Sequence, residues 1–144
     1  MGRIVVPLLV SNAFDRARRI ACHGLVDTGS SGLVLPSAWK QRLEPLEVLR
    51  RVYLETADQT LIEGEICGSV RVDLEGFSPI HSEVTFLDME PSDGRYEPLI
   101  GYILLEQAQA AVDLVMHRLV KGRPYDLKRA AAPLCVQSGR SSAA

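Results

Sequence analysis

The chain has 144 residues, 47% of them hydrophobic and 24% charged, with 16 Lys+Arg against 18 Asp+Glu for a formal net charge of −2. That length and balance fit one globular domain able to bury about 70% of its unfolded surface. They argue against a nucleic-acid binder that works by neutralising phosphates, and no apolar run approaches the ~20 residues of a helical membrane span.

Three cysteines, Cys22, Cys67 and Cys135, are odd in number and widely spaced. They form neither a zinc pattern nor a disulfide framework, and suit a reducing compartment such as the cytoplasm. Cys22 and Cys67 lie in apolar alternations and read as core residues. Met1 to Ala13 loosely mimics a secretory signal, but its apolar stretch is short and carries Pro7. The β-branched Ile4, Val5, Val6 and Val10 make it a first strand instead. Myristoylation at Gly2 is disfavoured, because Val6 stands where Ser or Thr is required.

In chain order, Ile4–Val10 reads as a strand, residues 12–16 as a turn, and Arg18–Val26 as the returning strand. The cluster Arg16, Arg18, Arg19 reads as a solvated hairpin tip. Gly29-Ser30-Ser31-Gly32 is a tight loop, and Leu33–Leu35 a short buried strand. Pro36-Ser37 opens a short helix over 38–43 that Pro45 stops. Val48–Thr56 and Leu61–Cys67 flank the polar Ala57-Asp58-Gln59-Thr60, which predicts a hairpin. Ser69–Leu74 and Ile80–Leu87 alternate as two further strands around Glu75-Gly76. A charged, proline-containing loop spans 88–98. Residues 102–110 then change period to a helix, and Ala111–Val120 returns to a strand. From Lys121 onward large apolar residues are scarce. The expected organisation is one domain over residues 1–122 and a flexible tail over 123–144. The fold class is all-β, a small barrel or sandwich with one late helix.

One segment stands out chemically. In Leu25-Val26-Asp27-Thr28-Gly29-Ser30-Ser31-Gly32 a carboxylate ends an apolar strand, and Gly29 lets the backbone turn sharply enough to bring an amide to it. Thr28 and Ser30 add hydroxyls. A strand-ending Asx-turn uses the same residues. A second segment, Leu99-Ile100-Gly101, follows a long loop and leads into the helix with Leu104 and Leu105. Gly29-Ser30-Ser31-Gly32 is not a nucleophile elbow. His23, His81 and His117 have no metal-ligand spacing and read as polar strand or loop residues. Trp39 and Tyr102 read as packing residues, and Asp113 as structural.

Asp-Thr-Gly-Ser followed in order by a hairpin, Ile-Gly, helix and strand resembles the retropepsin-like aspartic proteases, the retroviral enzymes and their single-domain relatives. The resemblance runs from about Val5 to Val120. It implies a small closed β-barrel of the acid-protease type with a flap hairpin and a short C-terminal helix, working as a C2 homodimer without metal or cofactor. Asp27 would be the catalytic carboxylate, with Thr28 and Gly29 beside it. Ser30, Leu99, Ile100 and Gly101 would support the loop, and the Ser30 hydroxyl could donate to the carboxylate. Ala57, Asp58, Gln59 and Thr60 would form the flap tip over an extended peptide or protein substrate.

No other Asp is followed by Thr-Gly or Ser-Gly, so the second carboxylate must come from Asp27 of another copy. Three features depart from the retroviral pattern. The hairpin has no glycine between Leu54 and Glu63. Ser31 and Tyr102 occupy positions where many retroviral enzymes carry an acidic residue and an arginine. The implied activity is aspartic endopeptidase. The alternative is a catalytically weak or inert dimerisation or peptide-binding module of the same fold, with no nucleic acid and no membrane as partner.

Overall fold

A computed structural model describes residues Gly2–Gly122. The expected tail over 123–144, and Cys135 within it, lie outside the described residues. The elements are β1 (Val5–Asn12), β2 (Asp15–Val26), β3 (Leu33–Pro36), a 3-10 turn (Ser37–Trp39) running into α1 (Lys40–Leu43), β4 (Glu47–Glu55), β5 (Leu61–Leu74), β6 (Ile80–Leu87), β7 (Leu99–Ile100), α2 (Tyr102–Gln107), β8 (Ala110–Asp113) and β9 (Arg118–Lys121). Seven strands form one sheet in the order β1-β2-β7-β3-β6-β5-β4, and β8 and β9 pair separately. β1 also pairs with β5, Leu8–Asn12 running antiparallel to Val70–Leu74. The expectation of a mostly β domain therefore holds.

Alternation explains how these strands enclose a core. Val70, Val72 and Leu74 of β5 point inward with Leu8 and Val10 of β1, Val84 and Phe86 of β6, and Leu33 and Leu35 of β3. Ile20, Leu43, Cys67, Ile100, Leu104 and Leu105 complete the cluster. A buried amide ties the end of β1 to the chain leaving α1. The Asn12 side-chain NH2 donates to the carbonyls of Leu43 (2.8 Å) and Pro45 (2.6 Å), while its oxygen accepts from the Phe14 N–H at 2.8 Å. Every polar atom of that side chain is thus matched, which buried amides require.

Four expectations need correction. Arg16, Arg18 and Arg19 lie within β2 and are exposed; the turn itself is only Ala13-Phe14. Leu61–Cys67 and Ser69–Leu74 are one strand, because both halves pair with β6 across an irregularity between Cys67 and Val70. Residues 111–120 are not one strand but the hairpin β8–β9. Asp113 Oδ1 accepts the N–H groups of Val115 (3.1 Å) and Met116 (3.0 Å) and reverses the chain there. Tyr102 is 44% exposed, whereas Trp39 does pack, edge-on to Tyr96 with ring centroids 5.9 Å apart.

Cys67 is fully buried and Cys22 half-buried, and both are free thiols. Burial pushes the Cys22 thiol up to about 11, against a smaller opposing pull from the Arg42 guanidinium, and burial raises Cys67 as well. The unfolded chain loses these protons near pH 9, so native stability should decline as the pH rises from about 9 toward about 11. At pH 8 the native Cys22 should resist iodoacetamide, while urea-unfolded protein reacts readily. Peptide mapping by mass spectrometry checks this; equal labelling of Cys22 in both states would contradict it.

Candidate active site

β2 carries its apolar run to Val26 and stops at Asp27, where the chain leaves the sheet. β7 lies between β2 and β3, parallel to the first and antiparallel to the second. Leu25 pairs with Leu99 and Val26 with Ile100, so the two sequence motifs become neighbouring strands. Leu25 N–H donates to the Pro98 carbonyl at 2.8 Å, and Asp27 N–H to the Ile100 carbonyl at 2.9 Å.

The loop after Asp27 folds back on that residue. The carboxylate Oδ1 of Asp27 accepts the Gly29 N–H at 3.0 Å, and the Asp27 carbonyl accepts the Ser30 N–H at 3.1 Å. Asp27 and Ser30 are half-buried, while Thr28, Gly29 and Ser31 are exposed. Among the described residues the Ser30 hydroxyl makes no bond to Asp27. The carboxylate is instead held by a backbone amide, since the tight turn points that N–H at it.

Leu99-Ile100-Gly101 then locks the loop from the other side. Gly101 N–H donates to Gly32 O (3.0 Å), Tyr102 N–H to Ser30 O (2.9 Å) and Ile103 N–H to Ser31 O (2.9 Å). The first amides of a helix lack partners within it. Here the first N–H groups of α2 satisfy the loop carbonyls, and the loop carbonyls satisfy them. Gly101 is the point of closest approach. A Cβ on it would stand 2.4 Å from the Ser31 carbonyl carbon and 2.5 Å from the Gly32 nitrogen. Sequence reasoning missed Gly24, where a Cβ would meet Ile100 Cδ1 at 2.8 Å. A lone glycine inside an apolar strand is the signal for such an approach.

The hairpin expected over Ala57, Asp58, Gln59 and Thr60 is present between β4 and β5. Val52 lies opposite Gly64 and Leu54 opposite Ile62, which makes one face apolar. Arg51 lies opposite Glu65 and Tyr53 opposite Glu63 on the other face. Its root is tied down by Lys40 to Glu65 at 3.1 Å and by Arg50 to Glu83 at 2.8 Å. Glycine is not needed at the tip, because side chains build the turn. The Thr56 hydroxyl donates to Asp58 Oδ1, the Thr60 N–H donates to the same oxygen at 3.3 Å, and Thr56 N–H donates to Thr60 O at 2.9 Å. Gln59 takes the positive φ of 65°. Hydrogen bonds from Thr56 and Thr60 hold the Asp58 carboxyl below its ordinary range. No hydrogen bond joins this tip to the Asp27 loop among the described residues.

The three described histidines, His23, His81 and His117, are exposed and separate, and no group of His, Cys, Asp and Glu among the described residues has metal-binding proximity. No helix is long and apolar enough to cross a membrane.

No protein-family model matches the chain, and no curated protein matches it. Solved structures do. The chain is similar to EIAV protease complexed with the inhibitor HBY-793, with a TM-score of 0.56 and 18% identity over 78% of this chain and 94% of that one. It is also similar to the retroviral protease-like domain of Ddi1 from Leishmania major, with a TM-score of 0.55 and 18% identity over 84% and 89% of the two chains. At these identities the likeness is one of fold.

Proposed function

We propose that this chain, which has the retropepsin-like fold, is an aspartic endopeptidase acting as a homodimer through Asp27. The observation that carries the reading is the carboxylate at the end of β2, pinned by the Gly29 amide within a loop braced by Gly101 and the start of α2. The β1–β5 pairing supports reading the sheet as a small closed barrel, with residues 1–122 as the protease unit.

In this reading two Asp27 carboxylates face each other across a two-fold axis. Like charges about 3 Å apart cannot both ionise, so the pair shares one proton over a wide pH range. The ionised member takes a proton from a water that attacks the peptide carbonyl, and the protonated member donates to the carbonyl oxygen. These roles belong to the pair and not to either copy. Thr28 ties the two loops together, Gly29 holds substrate backbone, and Ser30, Leu99, Ile100 and Gly101 keep the loop in place. The hairpin carrying Ala57, Asp58, Gln59 and Thr60 closes over an extended peptide, which pairs with it as an added strand. The free thiols of Cys22 and Cys67 favour a cytoplasmic setting.

A second reading, an inert peptide-binding or dimerisation module, is favoured by the flap tip. Its turn is fixed by side-chain hydrogen bonds and not by glycines. Concentration dependence separates the two readings. If two copies build one site, cleavage of a peptide library should rise with about the square of protein concentration while the monomer dominates. Cleavage linear in concentration by a species that sediments as a monomer would end the dimer mechanism. A folded, dimeric protein inert from pH 3 to pH 8 would establish the binding module.

A further inference from the structure

We propose that the open edge of β2 at Ala21 and His23 takes up an extended segment of a partner polypeptide as an added strand, in a cleft separate from the Asp27 loop. None of residues 27–32 and 101–103 lines that cleft, so the inference stands apart from the protease reading.

Successive residues of a strand direct their backbone N–H and C=O groups to opposite edges. Leu25 N–H points toward β7, where it donates to the Pro98 carbonyl, and Val26 N–H points toward the β1 side, where it donates to Ile4. Counting back by two, His23 and Ala21 direct their backbone groups away from β1. The pairing of β7 with β2 reaches back only to Leu25. Among the described residues, no backbone or side-chain group bonds to Ala21 or His23 on that edge. Proline explains why β7 leaves the edge bare. In the same parallel register the next bond would run from the N–H of residue 98 to the His23 carbonyl, and residue 98 is proline, which has no N–H. The chain before it pairs with itself: Ser92 and Arg95 exchange both N–H···O bonds, at 2.8 and 3.0 Å.

The edge opens into a cleft of about 1160 Å³, which Ala21, Cys22 and His23 line together with Trp39 and residues 92–97. That exceeds the ~300–1,000 Å³ of small-molecule pockets. Ala21 and His23 are exposed, so the edge is reachable from solvent. An unpaired strand edge is a template for another strand, and main-chain hydrogen bonds supply the affinity of strand addition. Side chains of the added strand alternate between two faces. One face lies beside the small Ala21, and the other beside Cys22 and the Trp39 ring. The segment that fits has an N–H at each residue, and therefore no proline, with an apolar side chain at every second position.

Residue-resolved amide hydrogen exchange of the full chain tests this, with acetyl-Thr-Val-Thr-Val-Thr-amide as the probe. In the free chain the Ala21 and His23 amides should exchange far faster than those of Cys22 and Gly24, which point toward β1. With free peptide at about ten times its dissociation constant both should slow about tenfold, while the Gly29 amide stays as it was. The same peptide N-methylated at every residue should have no effect. Ala21→Pro removes a donor from this edge and obstructs the approach, and should abolish the protection at His23. If that variant does not fold, the methylated peptide decides. Slow exchange of Ala21 and His23 in the free chain at every concentration would mean that the edge is already paired, and would overturn the inference. Protection that grows with protein concentration in the absence of peptide would assign the edge to a second copy and overturn the partner. Equal protection by the methylated peptide, a response confined to Gly29, or no protection at about 10 mM peptide would overturn it as well. Each of these results leaves the protease reading to be judged by the dependence of cleavage on Asp27.

Discussion

Asp27→Asn should abolish peptide cleavage while leaving the fold and the dimer in place. Asparagine is nearly isosteric, and its side-chain oxygen can still accept the Gly29 N–H that Asp27 accepts at 3.0 Å. It cannot act as a base toward water, and two asparagines cannot share an acidic proton. General acid–base catalysis is worth ~10²–10⁴-fold. The substitution removes the base from one copy and the acid from the other at once, so the loss should reach at least the top of that range. Stability should hold or rise, because the repulsion between two close carboxylates disappears. Peptide cleavage measured beside thermal unfolding and sedimentation gives the answer. A folded variant retaining more than a small percentage of wild-type activity, with contaminating proteases excluded, would overturn the assignment.

Gly101→Ala is expected to be nearly as damaging by a different route. The added methyl would stand 2.4 Å from the Ser31 carbonyl carbon and 2.6 Å from the Gly32 carbonyl oxygen. Both are backbone atoms, so no rotamer change relieves the clash. Either the loop moves away from α2 or the helix start moves away from the loop. In both cases the three hydrogen bonds from residues 101–103 to the loop carbonyls lengthen. Such overpacking costs about 3 kcal/mol, and a 1 Å displacement of a reacting group costs about 10²-fold in rate. Gly32→Ala is the control. A Cβ at Gly32 meets nothing within 4 Å, so that change should cost less than about 1 kcal/mol. Denaturant unfolding of both variants, with cleavage measured on the folded fraction, compares them. Equal stability of the two would remove the close approach at Gly101 as the reason for that glycine.

The strands were legible where alternation had a clear terminator. Ile4–Val10, Leu33–Leu35 and Ile80–Leu87 lie in β1, β3 and β6 with ends shifted by at most two residues. Legibility failed where an apolar residue occupied a turn. Leu114, Val115 and Met116 continue a strand-like pattern, and all three are exposed at the tip of β8–β9. The Asp113 side chain, by capping two amides, and the left-handed His117 (φ 52°) reverse the chain there. The division into Leu61–Cys67 and Ser69–Leu74 erred in the opposite sense, because β6 pairs with both flanking halves of β5.

By itself, the sequence determined the chemistry available: one carboxylate at a strand end, followed by a glycine that permits a sharp turn, with a second glycine motif 72 residues after the first. Residue identity carries that information, because acidity and the absence of a Cβ are local properties. Tertiary structure alone decided whether the Ser30 hydroxyl joins the Gly29 amide at the carboxylate. The local turn already aims that amide at Asp27, and among the described residues the hydroxyl makes no bond to it. It also decided that Gly101 and Gly32 touch and that Tyr102 faces outward. These outcomes depend on how β7 inserts between β2 and β3, a pairing across long sequence separation whose register is set by the packing of the whole core.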